Sequence, residues 1–220
     1  MPEHVTPTTE VAADAGEFAV AAGPALTAAA IALRQAVADG ADEVQLRELA
    51  RLVGNAWVET LVDGFVRPLA AAARGPGAGQ RTATMIRELA ESIIGSSARR
   101  TDLARATAFV AFLDAHQRAT PPTIHFAIDA DFARVLGPAL AADAAPPALA
   151  AGLHAMVDVT LRQFLDGPLA LLGVGLVTRT AVRVGRLAIA SRVRREIDRA
   201  VGEPTARERL RAMLATFVGR

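Results

Sequence analysis

The sequence predicts an all-α fold, a multi-helix bundle, and three observations carry that prediction. Hydrophobic residues make up 52% of the 220 residues, and their excess is mostly alanine, the best helix former and a weak filler of cores. Apolar residues recur at spacings of three and four along most of the chain. Only residues 123–128, TIHFAI, read as a strand, and a lone strand has nothing to pair with, so the helical reading extends through them to Leu140. About nine or ten helices are expected.

In chain order, residues 1–14 are polar, proline-bearing and without period, which reads as a disordered lead. Residues 17–22 read as a helical turn before Gly23. Pro24 suits the first turn of a helix running to Ala38, ended by Asp39 and Gly40. Asp42 and Gln45 form a capping pair for the next helix. Leu46, Leu49, Leu52 and Val53 recur at helical spacing up to Gly54, which reads as a turn. A further helix from Asn55 reaches Ala73 with Pro68 as a kink. Residues 74–80, RGPGAGQ, form a loop.

The second part of the chain continues this pattern. Met85, Ile86, Leu89, Ile93 and Ile94 form one apolar stripe, ended by Gly95, and Leu103, Ala106, Val110 and Leu113 form the next. After a proline loop at 144–147, Leu149, Leu153, Met156, Val157 and Phe164 repeat to the breaker at 166–168. Residues 168–197 are the longest helical candidate, and Thr205 with Glu208 reads as a capping box for the last helix.

Composition removes several function classes. The chain has no cysteine, which excludes disulfide frameworks, thiolate metal sites and cysteine nucleophiles. Acidic residues and prolines at the start are unlike a secretory signal, so a cytoplasmic protein is expected. Residues 179–220 carry eleven arginines against four acidic residues, whereas residues 1–178 carry thirteen against nineteen. All the basic charge is arginine.

Residues 44–65, VQLRELARLVGNAWVETLVDGF, with Ala50 and Gly54 four apart, read as a short helix, a tight turn and a second helix. Preceded by an apolar helix ending at Gly40, this order resembles the N-terminal part of the TetR family of repressors. The resemblance implies a three-helix head over residues 15–73 and a ligand-binding, dimerising body over residues 81–220. It offers Gln45, Arg47, Asn55, Trp57 and Thr60 for DNA contact. It also implies an apolar effector pocket lined from the helices carrying Ile93, Phe109, Phe112, His125, Phe126 and Met156, and a homodimer formed through residues 149–164 and 168–197. The family's usual valine-serine pair and tyrosine-x-x-phenylalanine close are absent here. Residues 25–70 also carry a net charge of −2, which opposes phosphate binding.

No nucleotide-binding loop, nucleophile elbow or paired Glu-x-x-His set appears, and no cofactor is implied. Gly173 and Gly175 lie in an apolar run, where a close helix crossing explains them better than a phosphate does. His125 and Asp129 are four apart, but a histidine beside surface carboxylates explains them better than a metal pair. A second function stands beside the regulator: a non-catalytic helical protein that meets a membrane surface or an acidic protein through residues 168–199. There Arg179, Arg183, Arg186 and Arg194 follow an apolar run too short to span a bilayer comfortably.

Overall fold

The computed structural model describes residues 17–75, 77–119, 122–141, 143–171 and 176–218. The expected lead over residues 1–14 lies outside them, as do Gly173 and Gly175. The described chain is helical with one small sheet, so the all-α, multi-helix expectation holds. It runs β1 (Glu17–Ala21), α1 (Pro24–Ala38), α2 (Glu43–Leu61), α3 (Arg67–Arg74), α4 (Gln80–Ala98), α5 (Leu103–His116), β2 (Gln117–Ala119) and β3 (Pro122–Ala127). Then follow α6 (Ala130–Leu140), α7 (Pro146–Leu161), α8 (Gly167–Leu171), α9 (Leu176–Ala200) and α10 (Pro204–Val218), while wide π turns at Val62–Val66 and Arg162–Asp166 join α2 to α3 and α7 to α8.

Two helix ends follow the sequence signals. Gly40 at φ 68° closes α1, with the Gly40 amide donating to Val37 and the Ala41 amide to Ala36. Asp42 caps α2 by accepting from the Gln45 amide at 2.9 Å. Thr205, in contrast, lies inside α10, which already starts at Pro204.

The strand expectations need correction. Residues 17–22, read as a helical turn, and residues 123–128, read as helix, supply β1 and β3, which pair antiparallel with Phe18 opposite Phe126 and Val20 opposite Ile124. β2 adds to the other edge of β3. The strand at 123–128 thus has two partners, one of them more than a hundred residues earlier in the chain. Phe18, Val20, Ile124 and Phe126 are all buried, each contributing roughly 1.5–3 kcal/mol.

The helix-turn-helix expectation is also overturned. α2 runs unbroken through Gly54, whose backbone is helical. A Cβ there would stand 3.1 Å from Ile94 Cγ2, so this glycine lets α2 approach α4 and makes no turn. Trp57, Leu61 and Phe65 are buried, and α1 to α3 share one hydrophobic core with α5, α6, α7, α9 and α10. Residues 15–73 are therefore not a separate projecting head.

The order of elements occurs twice. Strand, helix, long helix, π turn, short helix and two more helices describe both 17–116 and 122–218, and the two π turns stand a hundred residues apart. Buried Thr60, Leu61 and Ala106 recur at that spacing as buried Thr160, Leu161 and Ala206, and Pro68 recurs as Pro168. Contacts between the halves are reciprocal: β1 on β3, α4 on α9, α3 on α10 and α8 on α5. A two-fold relation between the halves produces this pattern.

Each π turn precedes a proline. Pro68 has no amide hydrogen and would crowd the carbonyl four residues back, so the last turn of α2 widens and the Arg67 amide reaches Val62 instead. In the second half, the amide that would serve the Phe164 carbonyl in a regular helix belongs to Pro168, which has none. The Trp57 indole supplies that donor at 2.9 Å.

Candidate docking groove

α6, α7 and α9 enclose an open groove of about 920 Å³. Asp129 caps α6 by accepting from the Phe132 amide at 2.7 Å. Beyond it, Phe132, Val135, Ala155, Val159, Leu161 and Ala190 give the groove an apolar floor. α7 can lie this close to α6 because residue 152 is glycine, where a Cβ would come within 2.3 Å of Ala139 Cβ.

Ion pairs fasten the walls. Arg162 Nη2 lies 3.2 Å from Asp129 Oδ2, and Arg186 and Arg194 of α9 bond to Asp166 and Asp158. Asp131 pairs with Arg134 at 3.1 Å across largely exposed side chains, a contact that water screens.

The outer edge of α9 differs in kind. Arg183, Leu187, Ser191, Arg195 and Arg199 follow one another every four residues, which places them on a single ridge, and all five are exposed. Among the described residues the three arginines have no ion pair. Leu187 is 58% exposed and Val184 beside it 62%, large apolar side chains that α9 leaves to water. Leu187, Ser191 and Arg195 also line the groove, so the middle of the ridge forms its lip.

Of the residues expected at this surface, Arg183 lies on the ridge and Arg179 is exposed near the start of α9. Arg186 and Arg194, expected at the same surface, are paired with Asp166 and Asp158. Leu187 and Arg195 are not singled out by the sequence reading, although their period of four from Arg183 is visible.

The residues proposed for DNA contact do not form one surface. Trp57 and Thr60 are buried, Thr60 bonding to the Ala56 carbonyl, while Arg47 pairs with Glu43 and Asn55 is half-buried. Gln45 alone is fully exposed.

The expected effector pocket is filled by its own side chains. Phe109, Phe112 and Phe126 pack with Trp57, Phe164 and His116, with ring centroids 4.3–6.4 Å apart. Met156 is fully buried, and Ile93 lies elsewhere, with Val182 and Leu89. His125 sits in β3, bonded to Glu17 and Thr123, so its spacing to Asp129 does not put the two on one helical turn. Among the described residues no three His, Asp or Glu side chains converge as a metal site would require, and no helix is long and apolar enough to cross a membrane.

α7, assigned by the resemblance to a dimer interface, has Leu149, Leu153, Met156 and Val157 in the core. Comparison with protein families, with curated proteins and with solved structures returns no match.

Proposed function

We propose that this protein is a non-catalytic binding module that meets an acidic macromolecular partner along α9. The observation that carries this reading is the ridge of Arg183, Arg195 and Arg199, three arginines without ion pairs among the described residues, interrupted by exposed Leu187 and flanked by Val184. Exposed apolar side chains set among unpaired charge of one sign are the ordinary makings of a contact surface. A regulator role draws little support from the geometry, because Trp57 and Thr60 are buried, Arg47 is paired with Glu43, and all five residues offered for DNA contact lie on one uninterrupted helix.

The test is binding of three anionic probes, poly-glutamate, phosphatidylglycerol-containing vesicles and random duplex DNA, over a salt series. Poly-glutamate should bind at low salt, release as salt rises, and fail to bind the triple variant Arg183→Glu, Arg195→Glu, Arg199→Glu. Unchanged binding in that variant, or binding to duplex DNA alone, overturns the reading.

A further inference from the structure

Resting on that reading, the geometry points to a particular occupant for the groove between α6, α7 and α9: an amphipathic helix of another protein, with its apolar stripe on the groove floor and a row of carboxylates along the α9 lip. Three observations select it.

The first is shape. The apolar floor is recessed between two walls, where Phe132 and Val159 are buried beneath the lips. A flat bilayer reaches lips only, whereas a helix about 10–12 Å wide can enter a groove with one face. The ridge from Arg183 to Arg195 spans about 18 Å, or roughly three turns of a partner helix.

The second is charge. On the α9 side Arg195 has no carboxylate partner among the described residues, while on the opposite wall Asp129 and Asp131 are paired with Arg162 and Arg134. The free positive charge therefore lies on one wall only, and an anionic surface lying across both walls would meet no cation without a partner on the other. A single helix can direct its carboxylates to α9 alone.

The third concerns self-association. A second copy seated α9 against α9 would bring arginine to arginine, since Asp158, Asp166 and Asp198, acidic residues exposed beside α9, are already held by Arg194, Arg186 and His154. The charge pattern therefore selects a different, acidic chain.

The experiment uses the full chain and a fluorescent three-turn helical peptide with leucines at positions i, i+3, i+4 and i+7 and glutamates along one edge. Its controls are the same peptide with glutamine, and with arginine, at the glutamate positions. Fluorescence anisotropy should show the glutamate peptide binding at least about tenfold tighter than the glutamine peptide, with the arginine peptide weakest. Leu187→Asp and Arg195→Glu, both at exposed positions, should each weaken the glutamate peptide at least about fivefold, and Arg195→Glu should gain affinity for the arginine peptide. Equal binding of the glutamate and glutamine peptides overturns the inference. So does peptide binding that Leu187→Asp leaves unchanged. If the vesicles or poly-glutamate bind through the arginine ridge while no peptide does, the helical occupant is wrong and the basic docking surface stands. If no anionic probe binds, both fall.

Discussion

Trp57 joins the two halves of the molecule through one hydrogen bond, to a carbonyl that Pro168 leaves without its regular helical donor. Trp57→Phe keeps a large ring but removes the donor, and leaving a buried carbonyl unpaired costs roughly 1–3 kcal/mol. Urea unfolding should show that loss, and it should shrink when Pro168→Ala restores an amide at residue 168. A second residue-scale prediction concerns Glu59, which accepts two bonds from Arg87 at 2.6 and 2.7 Å. The hydrogen-bonded Arg87 guanidinium holds the Glu59 carboxyl below its ordinary range. Its stabilisation is therefore present above the unfolded carboxylate pKa and is lost as pH falls through the folded value. Both side chains are partly exposed, so the effect is under about 1 kcal/mol. Glu59→Gln should be slightly less stable than the parent at neutral pH, and the gap should close as the solution is acidified below about pH 4, measured by unfolding at both pH values.

At the scale of elements, glycines set how closely neighbours lie. A Cβ on Gly152 would overlap Ala139, and one on Gly64 would stand 2.4 Å from Val20 Cγ1 and 2.9 Å from the Ala21 carbonyl. Gly152→Ala should cost about 1–3 kcal/mol by overpacking and be partly rescued by Ala139→Gly, whereas Gly64→Ala has only backbone and a core valine to displace and should not be so rescued. Thermal melts of the single and double variants check both. These contacts also mark where sequence reasoning stopped. The end of α1 at Gly40 and the Asp42 cap were legible because the residues that make them are neighbours in the chain. Gly54 was read as a turn because its reason, Ile94 on α4, lies forty residues away in sequence. The strands were missed because β1 is five residues long and its partner is β3, so neither segment alone carries the ladder.

At the scale of the whole molecule, helical class was legible from composition and spacing, and the duplication was not drawn from them. Its trace was present: Thr60, Leu61, Pro68 and Ala106 recur a hundred residues later, but many paired positions change character, as Val62 to Arg162 and Val66 to Asp166 do. The groove was half legible. Arginine enrichment pointed to residues 179–199, yet which arginines are free depended on Asp158 and Asp166 of other elements. The two halves meet inside one chain, with α4 on α9.

That interlock has a consequence for the covalent chain. Since α3 rests on α10, α8 on α5, and β1 on β3, each half completes the interior of the other, and the peptide bonds between Ala119 and Pro122 are one attachment among several. Severed there and produced as two polypeptides in the same cell, the segments should co-purify as a one-to-one complex with helical content close to that of the parent, while either alone should aggregate. Size-exclusion chromatography and circular dichroism would detect it. Two well-behaved separate monomers would mean that the halves are neighbours by tethering alone.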